Sequence, residues 1–349
     1  MTAAAVIPTR TGDLSLGDFR LASGGVLPGA RLRYRVLGDP ALGAERGWTL
    51  VFHALTGNHE VDQWWGPLLA PGGALDPAFR PVLAANLLGS CYGSTGPAPA
   101  TWNRALPFPD LTTGDLALAH APLLEALGIE RLSLVTGGSL GGMVALQWAR
   151  LATVPTDRVV VLAAPAASSA QSIAWNAVQR MAIEADPAWL DGLYSPEEGP
   201  RAGLAAARAI AMITYRSALE FGRRFGRRTD RNGRYEFDVE GYLRYQGDKL
   251  VDRFDAASYV QLTRVMDGHD VGPIDAAAGE TAARVGELIG VGIDTDILYA
   301  AEEVREWVAA YRAAGAPARY RELQTVYGHD AFLIEWDQLA AILRDPAAD

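Results

Sequence analysis

A serine in a glycine-rich turn is the first residue of this sequence that could do chemistry. Residues 137–141 are GGSLG and place Ser139 in a GxSxG pattern, between a strand-like run that ends at Thr136 and a helical pattern that starts near Gly141. A strand-to-helix turn of this kind presents a serine for nucleophilic attack, and small neighbours are needed because larger side chains would strike adjacent strands. We therefore predict that Ser139 is a nucleophile.

A serine hydroxyl is a poor nucleophile at neutral pH and needs a general base that a third group orients. Among the five histidines, His329 fits this role best, because it lies after Ser139 in a short loop between a predicted strand and the last predicted helix. Where such a turn carries the nucleophile, the chain order is serine, acid, histidine. His269 also follows the serine but lies in a mainly helical segment, so we rank it behind His329. The other three precede the serine: His53, His59 and His120.

The acid that orients this base should follow a strand between the helical segment and His329. Asp294 and Asp296 both meet that condition, because they come directly after the apolar run 288–292. Two residues apart in an extended strand, their side chains would point to the same side, and a turn there would separate them. Spacing alone leaves both aspartates as candidates.

Acyl chemistry also requires hydrogen-bond donors for the negative charge that develops on the carbonyl oxygen. The backbone N–H of Leu140, at the start of the helix after Ser139, is one candidate donor. Residues 53–57 follow an early predicted strand and place the N–H of Leu55 as the second. We predict an oxyanion hole formed by these two amides.

Alternating strand and helix patterns in the sequence predict the elements that bring these residues together. Strand, helix, strand in succession, with near-continuous apolar runs such as 158–162, predicts an α/β fold with a mainly parallel sheet covered by helices. The pattern turns helical near residue 165 and regains strand signals near 288. We predict a catalytic domain of residues 1–164 and 283–349 with an inserted helical lid of residues 165–282. The predicted strands are 31–37, 48–52, 81–85, 132–136, 158–162, 288–292 and 319–324, and the predicted helices are 114–127, 141–151, 171–183, 203–214, 250–266, 301–314 and 335–344.

Composition narrows the classes of function. The 349 residues are 49% hydrophobic and 21% charged, which is typical of a globular protein, and no apolar stretch is long enough to span a membrane. A net charge of -10 repels polyanions and argues against nucleic acid as a partner. The lone Cys91 excludes an intramolecular disulfide and a cysteine-based zinc site, so we expect a cytoplasmic protein without a metal centre.

The basic residues are arginines with one exception. Lys249 is the single lysine, and its neighbours Asp248 and Asp252 predict a surface ion pair. Six arginines crowd residues 223–234, and such a charge run is usually a solvated loop; the alternative is a patch that contacts the phosphates of a cofactor. The six are Arg223, Arg224, Arg227, Arg228, Arg231 and Arg234.

Six blocks of sequence, in order along most of the chain, match more than a fold. They are HALTG at 53–57, NLLGSCYGSTGP at 86–97, GGSLGGM at 137–143, ITYRS at 213–217, YQG at 245–247 and GHDAFL at 328–333. Together they resemble the homoserine O-acetyltransferase family of α/β hydrolase-fold enzymes. The long block at 86–97 is far more specific than GxSxG.

The resemblance implies roles for particular residues. It implies a catalytic triad of Ser139, Asp296 and His329, in agreement with the chain order, and so favours Asp296 over Asp294. It also implies that Arg208 contacts the carboxylate of an amino-acid substrate, that Asp330 contacts its amine, and that Tyr215 lines the same site. An α-amino acid offers one anion and one cation, for which a guanidinium and a carboxylate are natural partners.

The activity that the resemblance implies is acetyl transfer from acetyl-CoA to the hydroxyl of L-homoserine, a step of methionine biosynthesis. The transfer would be ping-pong through an acyl-Ser139 intermediate, in a homodimer, with acetyl-CoA as a substrate and no permanently bound cofactor. Within the same fold the alternatives are a homoserine O-succinyltransferase, a serine O-acetyltransferase and a serine esterase. A non-catalytic binding module is the alternative from another class, and the intact serine, acid and histidine argue against it.

Overall fold

An eight-stranded sheet is the frame of the molecule in the computed structural model, which describes residues 7–99, 101–103, 107–151, 153–195, 197–229, 233 and 236–344. The strand order is β1-β2-β4-β3-β5-β6-β7-β8. The first two strands pair antiparallel, β2 pairs antiparallel with β4, and all later pairs are parallel. The strands are Thr9–Arg20, Val26–Leu37, Trp48–Phe52, Val82–Ala85, Leu132–Gly138, Arg158–Leu162, Glu287–Ile293 and Ala318–Leu323.

Helices cover both faces of this sheet, which confirms the predicted α/β class. The four strands β3 to β6 are buried along their whole length, as parallel strands covered on both sides must be, and their apolar runs are the signal that predicted them. In chain order, α1 to α14 are Gly43–Arg46, Val61–Trp64, Gly66–Leu69, Thr113–Leu118, His120–Ala126, Leu140–Leu151, Ala170–Glu184, Arg201–Thr214, Ala218–Arg224, Asp238–Val251, Ala256–Asp267, Ala276–Ala282, Ala301–Ala313 and Trp336–Leu343. Short 3-10 helices span Pro40–Leu42, Leu190–Gly192, Ala283–Val285 and Gly328–Leu333.

The edge strand β1 was not predicted from the sequence. None of its residues is buried, and its apolar positions Leu14, Leu16 and Phe19 lack the regular alternation of a strand. A register shift on either side of Gly17, which has a φ of 61°, brings Phe19 back into step with the other two. The bulge hides the alternation that would have indicated a strand.

Two predicted helices are wrong in extent. The helix predicted over 114–127 is interrupted at Ala119 between α4 and α5. The helix predicted over 250–266 is two helices, because α10 ends at Val251 and the Asp255 side chain caps a new helix by accepting a hydrogen bond from the Ser258 N–H. Aspartate is a strong N-cap, and it starts α11 as a separate helix.

The segment between β6 and β7 holds the helices α7 to α12. Its two ends meet in a short antiparallel ladder, in which the Ser168 N–H donates to the His269 carbonyl and the Val271 N–H donates to the Ala166 carbonyl, each at 2.9 Å. The predicted lid boundaries at residues 165 and 282 enclose this ladder and stay predictions. Beyond the ladder, α12 packs so closely on the end of α13 that a Cβ at Gly279 would lie 1.9 Å from the Ala314 carbonyl oxygen.

His269 stabilises this ladder from inside. Its Nε2–H donates to the Pro165 carbonyl at 3.0 Å, and its Nδ1 accepts from the Thr113 hydroxyl at 2.9 Å. Burial lowers the pKa of His269 to about 4, although the Pro165 hydrogen bond opposes the shift. A neutral histidine with both nitrogens bonded has no free position for a proton in transfer, so the structure gives His269 a structural part.

We expect His269→Ala to lower the free energy of unfolding by about 2–4 kcal/mol, because the change opens a cavity, leaves the Pro165 carbonyl without its partner and removes the acceptor of the Thr113 hydroxyl. Urea unfolding followed by circular dichroism measures this as a lower midpoint. His269→Gln, which keeps part of the hydrogen bonding, should lose less. A midpoint unchanged in His269→Ala would show that the ladder does not depend on this side chain.

Candidate active site

Ser139 occupies a strained turn between β5 and α6. Its φ is +58°, in the left-handed region that residues other than glycine rarely adopt, and the residue is only 5% exposed. Two hydrogen bonds of 3.0 Å hold the turn, one from the Ser139 N–H to the Leu162 carbonyl and one from the Met143 N–H to the Ser139 carbonyl. Backbone strain that is fixed from both sides is the mark of a nucleophile elbow.

The glycines around Ser139 are required by close backbone contact. A Cβ at Gly141 would lie 2.2 Å from the Phe52 carbonyl oxygen, and one at Gly137 would lie 2.5 Å from the Gly141 carbonyl oxygen. A Cβ at Gly138 would lie 2.5 Å from the ring of Phe332. The turn can therefore approach β3 and the loop after β8 only because these positions have no side chain.

His329 and Asp296 form a buried pair. The Nδ1–H of His329 donates to Oδ2 of Asp296 at 2.6 Å, and the histidine is 2% exposed. The other carboxylate oxygen of Asp296 accepts from the N–H groups of Leu298 and Tyr299 at 2.8 and 3.0 Å. Both oxygens of the carboxylate thus accept hydrogen bonds, which hold it in one orientation. The imidazole is fixed in the tautomer that carries its proton on Nδ1.

The structure separates the two aspartates that spacing could not. β7 ends at Ile293, and the chain then turns, with the Asp296 N–H donating to the Ile293 carbonyl at 3.1 Å. Asp294 is exposed and accepts a hydrogen bond from the Thr325 N–H instead. The turn therefore sends Asp296 inward to His329 and Asp294 outward.

The charge of Asp296 controls the protonation of His329. Burial lowers the pKa of His329, but the charge and hydrogen bond of Asp296, with a smaller contribution from Asp330, outweigh it and raise the pKa above its usual value. Nε2 is buried and has no hydrogen-bond partner among the described residues. This nitrogen is therefore available to accept a proton.

Phe332 links the histidine loop to the serine turn. Its ring contacts the Gly138 backbone, next to Ser139, and its centroid lies 5.6 Å from that of the His329 imidazole. Tyr215 and Tyr299 complete the aromatic surroundings of the imidazole, with centroid distances of 5.6 and 5.3 Å. Aromatic walls around a base limit its contact with water.

The histidines before the serine are structural. His53 donates from Nδ1 to the Ala54 carbonyl and accepts the Leu87 N–H at Nε2, and burial lowers its pKa to about 4. Burial also lowers the pKa of His120 to about 4, and its Nδ1 bonds the Leu116 carbonyl. His59 bonds the Asn86 side chain, and burial lowers its pKa.

The two predicted oxyanion donors, the N–H groups of Leu55 and Leu140, each belong to a tight turn at the end of a strand. Leu55 lies in the turn after β3 that the Gly57 N–H closes on the Ala54 carbonyl at 2.8 Å, and Leu140 is the first residue of α6. In the part of the chain that the structure describes, no turn or loop hydrogen bond uses the N–H of either leucine. Both amides are thus free to donate to a substrate oxygen.

The residues expected to hold an amino acid meet at the junction of the lid with the histidine loop. The Arg208 guanidinium, on α8, lies 5.5 Å from the centroid of Tyr215. Tyr215 accepts the Asp330 N–H at its carbonyl, at 3.2 Å. Gly328 has a φ of 71°, and a Cβ there would lie 3.0 Å from the Tyr215 carbonyl oxygen. The lid and the histidine loop are therefore in direct backbone contact.

Arg216 is a residue of this site that sequence reasoning missed. Its guanidinium pairs with Asp330 at 3.1 Å and with Glu220 at 3.0 Å, and all three side chains are largely buried. The predicted amine ligand Asp330 thus has a cation beside it, which fixes its carboxylate. Its position next to Tyr215 in the ITYRS block was the signal that could have indicated it.

A cavity of about 570 Å³ opens beside these residues. Its described lining includes Gly138, Phe332, Arg208, Lys249 and Arg253, and no carboxylate side chain. The full described lining is Ala54, Thr56, Gly57, Asn58, Gln63, Trp64, Tyr92, Gly138, Arg208, Lys249, Arg253, Phe332 and Leu333. An anionic ligand fits such a wall.

The predicted ion pair of Lys249 is wrong. Asp252 pairs with Arg201 at 2.9 Å instead, and Lys249 has no ion pair among the described residues. The described members of the arginine cluster are exposed and do not line the cavity; Arg231 and Arg234 lie outside the described residues.

Across the described ranges no helix is long and apolar enough to cross a bilayer, and no group of three or more His, Cys, Asp or Glu side chains could hold a metal ion.

Comparison of the chain with known proteins shows the class of fold and the family to which it belongs. Residues 48–272 match the family model of the α/β hydrolase fold, a fold in which a strained serine turn of this kind can carry a nucleophile. The chain is 42% identical over 344 residues to the homoserine O-acetyltransferase of Moorella thermoacetica, covering 93% of this chain and 92% of that protein. The chain belongs to the homoserine O-acetyltransferase family and is an acyltransferase of the α/β hydrolase fold.

Solved structures give the same fold. The crystal structure of homoserine O-acetyltransferase from Staphylococcus aureus is 27% identical, with a TM-score of 0.79 over 96% of this chain and 94% of that one. Esterase E22 superimposes with a TM-score of 0.83 over 97% of this chain and 99% of that one, at 20% identity. The second likeness concerns the fold alone, because identity is low and the same fold carries different reactions.

We expect Gly141→Ala to destabilise the protein by about 2–4 kcal/mol, because its Cβ would overlap the Phe52 carbonyl and force β3 away from the serine turn. The melting temperature measures this loss. Gly222→Ala is the matched control, since Gly222 lies in α9 with open space around it, and alanine should there be neutral or stabilising. Equal melting temperatures for the two variants would contradict the close contact.

Proposed function

We propose that this protein transfers an acetyl group from acetyl-CoA to the hydroxyl of L-homoserine through an acyl-Ser139 intermediate. The observation that carries the proposal is the 42% identity, over nearly the whole chain, to a protein named homoserine O-acetyltransferase. Support for the chemistry comes from the strained Ser139 and from the buried pair of His329 and Asp296. The following steps assign a part to each residue.

The first half-reaction moves the acetyl group to the enzyme. Nε2 of His329 takes the proton of the Ser139 hydroxyl as Oγ attacks the thioester carbonyl, and the N–H groups of Leu55 and Leu140 stabilise the oxyanion. When the tetrahedral intermediate collapses, the carbon–sulfur bond breaks and the sulfur leaves with the proton from His329. Asp296 stabilises the imidazolium in between.

The second half-reaction moves the acetyl group to the acceptor. Nε2 of His329 takes the proton of the homoserine hydroxyl, whose oxygen attacks the acyl-Ser139 carbonyl. Collapse of the second tetrahedral intermediate breaks the bond to Oγ, which recovers its proton from His329. The products are O-acetylhomoserine and the enzyme with its Ser139 hydroxyl regenerated.

The acceptor is bound through its two charges. Arg208 pairs with its carboxylate, Asp330 accepts from its ammonium group, and the Tyr215 ring packs beside both. Support comes from the position of Arg208 against Tyr215 and from Arg216, which holds the Asp330 carboxylate. Because these residues lie on the lid and on the histidine loop, an acceptor would join the two.

Transfer must compete with hydrolysis of the same acyl-enzyme. Ser139 and His329 are 5% and 2% exposed, so little water reaches them, and a bound acceptor would hold its hydroxyl at high effective concentration. Succinyl transfer, serine as acceptor and plain ester hydrolysis are outcomes that kinetics distinguishes. A cytoplasmic homodimer in methionine biosynthesis stays a prediction, and light scattering of the purified protein measures its oligomeric state.

Steady-state kinetics with acetyl-CoA and succinyl-CoA against L-homoserine and L-serine tests the proposal. We expect parallel double-reciprocal lines for acetyl-CoA and homoserine, because CoA leaves before the acceptor reacts, and Ser139→Ala should lose at least about 10³-fold in kcat. Mass spectrometry should find an acetyl group on Ser139 when the acceptor is omitted. CoA release at the same rate with and without homoserine would favour a hydrolase and contradict acyl transfer.

The pH profile tests the roles of Asp296 and His329. The base is the neutral imidazole, and the raised pKa of His329 means that activity falls with decreasing pH from above the ordinary histidine value of about 6.5. Asp296→Asn removes the charge that raises this pKa, so the acidic limb of kcat/KM should move to lower pH, with a loss of about 10³-fold or more in kcat.

Asp294→Asn is the matched control, because Asp294 is exposed and its contact with the Thr325 N–H can be kept by an amide oxygen. It should leave both the limb and the rate in place. An acidic limb that stays put in Asp296→Asn, or moves in Asp294→Asn, would reverse the assignment.

A further inference from the structure

The entrance of the catalytic cavity has an unusual charge for this protein. The chain has a net charge of -10, yet the described lining of the cavity contains Arg208, Lys249 and Arg253 and neither aspartate nor glutamate. A concave wall with one sign of charge attracts ligands of the opposite sign. The proposed acceptor accounts for Arg208, which leaves Lys249 and Arg253 without an assigned ligand.

Neither of these two cations forms an ion pair with a described residue. Arg253 donates from NH1 to the Thr56 carbonyl and to the Tyr92 hydroxyl, each at 2.7 Å, and both acceptors are uncharged. Lys249 lies four residues earlier, is exposed, and has no ion pair in the described part of the chain, although acidic neighbours flank it in sequence. One hydrogen-bonded cation and one exposed cation without an ion pair therefore line the same cavity.

We propose that Lys249 and Arg253 form a phosphate-binding site for the acyl donor at the entrance of this cavity. The inference rests on the proposed function, which supplies a thioester donor that carries phosphates at the end of a flexible arm. One cavity touches both Gly138, next to Ser139, and Lys249. A donor lying along it would have its thioester at the serine and its phosphates at the two cations.

The two cations differ in what they supply. Arg253 is held in place by Thr56 and Tyr92, so it offers a fixed planar donor to a phosphate oxygen. Lys249 is a point charge on a flexible stem that can follow a phosphate. Because Arg253 also contacts the turn that contains Leu55, its removal would disturb the oxyanion donor, and Lys249 is the residue to test.

The arginine cluster offers a competing site. Arg223 and Arg224 on α9, with Arg227 and Arg228 after it, are exposed and none of them lines the cavity. Arg228 pairs with Asp238 at 3.2 Å, so part of its charge is already neutralised. Arg223→Ala is therefore a control of the same kind of change, an exposed cation removed outside the cavity.

Lys249→Ala should distinguish donors with and without phosphate. Three donors are compared with homoserine as acceptor: acetyl-CoA, S-acetyl-phosphopantetheine and S-acetyl-pantetheine. We expect KM for acetyl-CoA to rise about fivefold with kcat unchanged, because the lost contact is made before and during reaction alike. KM for S-acetyl-pantetheine should stay the same, Lys249→Glu should increase the effect, and Arg223→Ala should change none of these values.

Direct binding gives a second measurement that does not depend on turnover. Isothermal titration of Ser139→Ala with CoA should show a Kd about fivefold weaker when Lys249→Ala is added. Thermal melts of each variant check that the fold is kept.

Each remaining outcome overturns the proposal. An equal rise of KM for all three donors would mean that Lys249 affects the shape of the cavity and does not bind a phosphate. An unchanged KM for acetyl-CoA would mean that Lys249 does not contact the donor. An effect of Arg223→Ala as large as that of Lys249→Ala would assign the phosphates to the cluster. Wild-type protein that transfers acetyl from none of the donors would overturn the proposed function itself, whereas wild-type transfer with no preference for phosphorylated donors would overturn this inference alone.

Discussion

One buried hydrogen bond, from Nδ1–H of His329 to Oδ2 of Asp296, sets the conditions for the rest of the site. A carboxylate removed from water is costly unless its oxygens are bonded, and here the amides of Leu298 and Tyr299 bond the second oxygen. Those amides are available because the chain turns sharply after β7. The sheet therefore supplies more than a scaffold, since the end of one strand determines both where the acid lies and whether it can stay charged.

The predicted lid, residues 165–282, is in direct contact with the loop that carries His329 of this pair. Gly328, at the start of the histidine loop, packs against the backbone of residues 215–217, and Asp330 pairs with Arg216 on the lid side. Movement of the lid would consequently act on the loop that holds His329. The groups proposed to bind the acceptor and the histidine proposed to activate it thus belong to one packed unit. A change in the packing of this unit would therefore affect both acceptor binding and catalysis.

The sequence predicted the parts that depend on local pattern. Buried parallel strands such as β3 and β6 are near-continuous apolar runs, and their predicted bounds agree with the structure. The glycines around Ser139 likewise indicated the turn. What it missed depends on geometry at a distance. The choice between Asp294 and Asp296 follows from a turn, and the pairing of Arg216 with Asp330 joins residues more than a hundred positions apart.

Lys249 shows the same limit from another side. Its neighbours Asp248 and Asp252 predicted an ion pair, but adjacent residues on a helix do not face each other, which excludes Asp248. Asp252, three residues further on, pairs with Arg201 instead. Sequence proximity alone is therefore a poor guide to charge pairing on α10.

A chain with a single lysine has one side-chain amine, and that amine stands at the mouth of the catalytic cavity. Reagents that modify primary amines, apart from the chain terminus, will thus mark this entrance and nothing else. A fluorophore or cross-linker can be installed there without mutagenesis, and occupancy of the channel becomes visible as protection of one known atom.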